Sequence, residues 1–183
     1  MFLKQFLVFF WEVAKIVILA LVIVIPIRYF IFQPFIVRGV SMEPNFHNND
    51  YLIVDEISYR FRMPYRGDII IFRYPQNPSE KFIKRIIGLP EEIVSLENNQ
   101  IVIIDKFGER EILDESSYLS SQTLFNNKEI YLAEDEYFVL GDNRSYSFDS
   151  RSWGILPKKN IIGRALFRVF PPATAVAFTA PDY

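Results

Sequence analysis

Between Phe6 and Val37 the only charged residues are Glu12, Lys15 and Arg28, and from Ile16 to Ile27 the sequence is uninterrupted apolar. A stretch of that kind has to meet lipid or be wrapped by protein. At a rise of about 1.5 Å per residue the inner block is too short for a hydrocarbon core of roughly 30 Å, so a span extends outwards on both sides. Lys15 can snorkel from one face and Arg28 from the other, with Trp11, Tyr29 and Phe32 as interfacial aromatics. Lys4 and Lys15 precede the core and favour an inside N-terminus with the rest translocated. A cleaved signal peptide would need a small-x-small site just beyond the core, and residues 27–35 hold no small residue. A buried core helix is the other alternative. The reading adopted is an uncleaved single-pass anchor over 1–32, in the cell (inner) membrane, with the remainder on the extracytoplasmic side.

Composition agrees with contact with a phospholipid membrane. Hydrophobic residues make up 50% of the 183, and the mean hydropathy is +0.12, high for a wholly soluble protein. A net charge of −2 and a pI near 5.5 argue against nucleic acid as a partner. With no cysteine there is neither a disulfide nor a thiolate zinc site, and the single histidine, His47, excludes a two-histidine metal helix. Any Ser-His-Asp triad would depend on His47 alone.

After the apolar run, Gln33-Pro34 breaks the helix and Phe35-Ile36-Val37 favours an extended backbone. Short β-branched or aromatic runs at 50–55, 67–74, 81–90, 137–140 and 161–170 read as strands, and 93–104 as a hairpin turning at Asn98-Asn99. These make 33–172 a mostly β domain. Residues 105–128 are a polar surface excursion, Pro171-Pro172 ends the ordered core, and 173–183 is a tail. Residues 59–66 mix arginines with Phe61, Met63 and Tyr65 and contain no acid. They suit a loop dipping into lipid headgroups or an edge hairpin folded onto the core.

Three places carry reactive side chains. Ser41 follows Gly39 and precedes Pro44, a strand-to-turn setting that can expose a hydroxyl, although a serine there can equally cap its own backbone. Lys84 stands among Phe82, Ile83, Ile86 and Ile87. If they desolvate it, its pKa falls below the reference of about 10.4; on an edge strand it would stay solvated. The loop from Gly141 to Arg151 gathers Asp142, Arg144, Ser147, Asp149 and Arg151. An Asn- and Asp-rich turn explains its glycine and asparagine but not its arginines.

Ser41-Met42-x-Pro44, Lys84-Arg85 within Phe-Ile-Lys-Arg-Ile-Ile-Gly-Leu-Pro, and Gly-Asp-Asn-Arg-x-x-Ser-x-Asp-Ser-Arg over 141–151 lie in order behind the anchor, with Gly67-Asp68 as a fourth block. In these blocks the chain resembles the bacterial type I signal peptidases. The resemblance implies a serine/lysine endopeptidase on an antiparallel β-fold that removes signal peptides from exported preproteins without metal or cofactor. It implies Ser41 as nucleophile, Lys84 as general base, Ser147 as the hydroxyl orienting the lysine, and Asp149 with Arg151 as a brace. Some members carry a serine two residues before the nucleophile, where this chain has Gly39. By position Phe35, Val37, Met42, Phe46, Phe82 and Ile83 are expected to line two shallow pockets for the small residues of an Ala-x-Ala site. A serine/lysine protease with another client, or a silent β-domain that binds extended peptides, are the competing readings.

Overall fold

The computed structural model describes residues 2–30, 32–119, 127–181 and 183, without the side chains of 2–4, 7, 25–30 and 32. The expected N-terminal helix is present as α1, Phe2–Phe30, and its described large apolar side chains from Phe6 to Val24 are exposed. Among the described residues no helix is long and apolar enough to cross a membrane. Part of the stretch expected to span therefore lies outside the side chains described.

The remainder is antiparallel β-structure. Strands β1 (Phe32–Ile36), β2 (Tyr51–Asp55), β3 (Ile69–Tyr74) and β4 (Asn77–Gly88) are followed by the hairpin of β5 (Ile93–Glu97) and β6 (Gln100–Ile104). Then come β7 (Arg110–Ile112), β8 (Lys128–Tyr131), β9 (Glu136–Leu140), the short helix α2 (Ser150–Trp153), β10 (Leu156–Pro157), β11 (Ile161–Phe170) and β12 (Val176–Ala177). One sheet runs β1-β2-β11-β3-β4-β9-β10 with β12 on β11, and a second runs β7-β6-β5-β8.

Burial follows the sequence pattern. The Ile-Ile-Ile-Phe run of β3 lies between β11 and β4 and is covered on both faces, because Ile69 and Ile71 enter one apolar cluster and Ile70 and Phe72 another. At the tip of the second sheet Asn98 and Asn99 both take positive φ, 50° and 62°, as a two-residue hairpin turn requires. Val37, Met42, Phe46, Leu52, Val54, Ile69, Ile71, Ile83 and Ala165 form the apolar cluster beneath the turn that bears Ser41. Each large side chain fully buried there stabilises the fold by about 1.5–3 kcal/mol.

Three expectations change. Residues 59–66 form no edge hairpin: a 3₁₀ turn at Ser58–Arg60 leads into a loop with Phe61, Met63 and Tyr65 exposed, since Arg62 pairs with Asp68 at 3.0 Å and fills the space between the Tyr59 and Tyr65 rings. The excursion at 105–128 is more than surface. It supplies β7, buries Leu113 and Tyr118, and sends Glu115 to Arg144; residues 120–126 lie outside those described. Ordered packing also continues past Pro171-Pro172, because Phe178 stacks on Phe46 with ring centres 4.4 Å apart and the Tyr183 hydroxyl donates to that of Tyr118 at 3.0 Å.

Candidate active site

Beyond β1 the chain leaves strand geometry at Gly39, whose φ of +89° favours glycine and whose N–H donates to Asn48 Oδ1 at 3.0 Å. The following turn is held from below by Met42 and Phe46, both buried, with Phe46 N–H donating to the Met42 carbonyl at 2.9 Å. From the side, Asn143 donates its backbone N–H to the Ser41 carbonyl at 3.0 Å and its Nδ2 to the Val40 carbonyl at 3.1 Å. Ser41 is thus fixed at its backbone, and the residue is partly exposed.

Strand β4 delivers the lysine. Lys84 is 4% exposed, and its Nζ donates to Ser41 Oγ at 2.7 Å and to the Ile83 carbonyl at 2.9 Å. Burial disfavours the ammonium and brings its pKa down from 10.5 to about 8, against the opposing pull of the Asp149 and Asp142 carboxylates. The neighbouring Arg85 points to the other face, where Nε and Nη2 grip Asp142 at 2.8 and 2.7 Å while Nη1 donates to the Gly67 carbonyl. That ion pair is almost wholly removed from water. It is satisfied because Asn45 also donates to Asp142 and the Tyr118 ring lies 4.0 Å from the guanidinium.

The loop after β9 closes the site. Asp149 is completely buried, accepts from Gly141 N–H at 3.1 Å, and takes Arg151 Nε and Nη2 at 2.8 Å each. Arg151 also donates to the Arg144 carbonyl, and Arg144 forks onto Glu115. Gly141 is obligatory by space: a Cβ there would stand 2.2 Å from Ser147 Oγ and 2.4 Å from the Ser41 carbonyl oxygen. Ser147 Oγ is buried with no hydrogen-bond partner among the described residues. The bond to Lys84 expected of it is not made in this state.

Ser41 and Lys84 stand in a cleft of about 500 Å³. Of the six residues expected to line its pockets, Phe35, Phe82 and Ile83 do so; Val37, Met42 and Phe46 lie in the core beneath. The strand alternation used to place Val37 stops at Ile36, and the turn after Ser41 directs Met42 and Phe46 downwards together. The sequence reading omitted Tyr146 and Phe148, which line the opposite wall, and Phe148 is held there edge-on to Tyr74 at 5.8 Å. Two aromatics in an otherwise polar loop were the available signal. Also unforeseen were Asn45, Glu115 and Asn143, whose partners are remote in sequence. His47 is exposed, and among the described residues no three carboxylate or imidazole groups gather as a metal site needs.

The family model described as signal peptidase, peptidase S26, matches residues 10–170. Over 167 residues the chain is 40% identical to a signal peptidase I of Leptolyngbya laminosa, covering 87% of this chain and 79% of that protein. It is 36% identical over 165 residues to the probable signal peptidase I-2 of Synechocystis sp., covering 87% and 73%. A solved signal peptidase I from Enterococcus faecalis aligns with 28% identity and a TM-score of 0.46, covering 56% of this chain and 97% of that one. The chain belongs to the signal peptidase family, peptidase S26.

Proposed function

We propose that this protein is a membrane-anchored endopeptidase that removes N-terminal signal peptides from exported preproteins, with Ser41 as nucleophile and Lys84 as general base. The 2.7 Å approach of Lys84 Nζ to Ser41 Oγ, in a setting that lowers the lysine pKa to about 8, carries the reading. A neutral lysine takes the hydroxyl proton as the oxygen attacks the scissile carbonyl, and the resulting ammonium protonates the leaving amine. Neutral again, it activates water against the acyl-ester. The Ser41 N–H makes no hydrogen bond with the described residues and is the donor for the oxyanion, in place of the side chain that Gly39 lacks. Asp149 and Arg151 brace the loop, and Ser147 orients the lysine once substrate excludes water from the cleft.

An extended substrate beside β1 and β4 sends the first and third residues before the cut to one face. Phe35, Phe82 and Ile83 leave room there for alanine, and a larger side chain would lift the carbonyl from Ser41. The anchor is supported by α1, whose apolar surface has no protein cover and is stable only in an apolar surround. The loop bearing Phe61, Met63 and Tyr65 follows Asp55, the strand partner of Phe32, so it emerges where the chain leaves that helix and meets the lipid headgroups. Purified protein in detergent should cut a model preprotein after Ala-x-Ala, whatever the middle residue, and fail when either alanine becomes leucine. Equal cleavage of the Ala-x-Leu and Ala-x-Ala forms would overturn the pocket assignment.

A further inference from the structure

The tail contains the only Ala-x-Ala frames of the chain, at 173–175 and 175–177. Residues 172–177 are exposed one after another, an uncommon presentation in a folded domain and the one a protease needs. The two frames differ in shape. Pro172–Thr174 is wound into a 3₁₀ turn, whereas Ala175 is extended (φ −61°, ψ 126°) and Val176–Ala177 is a strand paired, among the described residues, only to Phe167 and Arg168 near the end of β11. The second frame already has the backbone that an alternating-pocket cleft reads, with Ala175 and Ala177 on one side and Val176 on the other.

We infer that Ala175-Val176-Ala177 is a processing site cut after Ala177 by a second copy of this same chain. The inference rests on the serine/lysine reading and its preference for Ala-x-Ala. A copy does not present the site to itself. The tail borders a separate hollow of about 480 Å³, lined by Pro44, Phe46, Arg85, Tyr118 and Arg168, that shares no residue with the cleft of Ser41. In the step, Ser41 Oγ of one copy bonds to the Ala177 carbonyl carbon of the other. The Ala177–Phe178 bond breaks, and the Phe178 nitrogen leaves with the proton taken from Ser41. Water then supplies hydroxyl to the Ala177 acyl group and a proton to the Ser41 oxygen. The released segment begins with Phe178, which stacks on Phe46 in the turn behind Ser41 and lies 5.8 Å below the Arg168 guanidinium, and ends with Tyr183 on Tyr118. Trimming uncovers that hollow and frees the turn of one of its aromatic supports.

The test uses full-length Ser41→Ala protein as substrate, incubated with a small amount of wild-type enzyme in detergent and read by intact mass. A model preprotein is cut in parallel as a control. The substrate should lose Phe178 to Tyr183 at a rate proportional to added enzyme and stay intact without it, and Ala177→Leu placed in the substrate should abolish the loss. The Ala177→Leu change in the enzyme itself should leave preprotein cleavage unaltered. An intact tail beside a processed preprotein would overturn this inference alone. Cutting after another residue, or loss in the Ser41→Ala protein without added enzyme, would overturn it too. Failure to process the preprotein would instead overturn the reading on which it rests.

Discussion

Asn143 reaches across from the closing loop and donates its backbone N–H to the carbonyl oxygen of Ser41 at 3.0 Å, so the turn that bears Ser41 is held by a residue remote in sequence. This close approach needs Gly141, where any Cβ would meet the same carbonyl oxygen at 2.4 Å. Gly141→Ala should therefore push Ser41 out of line. A displacement of about 1 Å can cost on the order of 10²-fold in rate. Single-turnover cleavage by the folded variant is the measurement, and an unchanged rate would remove steric fit at Gly141 from the account.

Ser41→Ala and Lys84→Ala should each abolish preprotein cleavage with the fold retained. His47 is exposed and contributes to its turn through its backbone, so His47→Ala should keep substantial activity. A His47→Ala protein as dead as Ser41→Ala, yet folded by circular dichroism, would rule out lysine as the base.

The rate should rise with pH as Lys84 deprotonates, with a midpoint near 8. Because this folded-state pKa lies below the unfolded one, the unfolded chain binds the extra proton between about 8 and 10.5, and Lys84 contributes a stability gain as pH rises through that window. Asp142 and Asp149 pull the lysine pKa upwards, so Asp142→Asn, which also leaves the Arg85 charge uncompensated, should move the kinetic midpoint to lower pH. A midpoint unmoved or raised in that variant would show that the carboxylate does not act on Lys84.

The Arg85–Asp142 pair should also dominate stability. Removing one member of a buried, satisfied pair typically costs about 3–5 kcal/mol, because a charge is stranded. Asp142→Ala should unfold in correspondingly less denaturant. By contrast Arg110→Ala, which breaks an exposed pair with Glu97, should change little. Comparable losses in the two variants would contradict this ranking.

Ser147 offers a subtler case. Its Oγ is buried and unpartnered among the described residues, so Ser147→Ala loses no hydrogen bond seen in this state and should not lower the melting temperature. If the hydroxyl meets Lys84 when substrate is bound, the same change should reduce kcat while KM changes little. Unaltered kcat would exclude Ser147 from the chemistry.

The strands were legible because their β-branched runs are short and bounded by turn residues, and the Asn98-Asn99 hairpin carries its turn in its sequence. Ser41 and Lys84 each present a local anomaly, a serine beyond a glycine-loosened strand end and a cation inside an isoleucine run, but the residues alone left a capping serine and a solvated lysine open, and it was the resemblance to the signal peptidases that singled the two out. The links that hold the site were harder to see. Arg144 takes Glu115, and Asp142 takes Arg85 and Asn45, through contacts between segments far apart in the chain that no local pattern encodes. The burial of Met42 and Phe46 was missed because a tight turn obeys neither the strand period nor the helical one. The packing of Phe178 depends on a tail that doubles back, and its alanine-rich sequence carries no periodic signal.

Lys84 and Arg85 are consecutive on β4, one directed at Ser41 and the other at Asp142, in a ladder that sets them opposite Ile70 and Ile69. Were β4 to slip by one residue so that Arg85 took the place of Lys84, the guanidinium would face the serine and Ile86 the aspartate. Arginine stays protonated at any accessible pH, so such a molecule would be inert rather than weakly active. Strand alignment is thereby converted into an all-or-none chemical readout. In a preparation of this enzyme, the fraction of chains that a serine-directed acylating reagent can titrate should equal the fraction whose central sheet is in register.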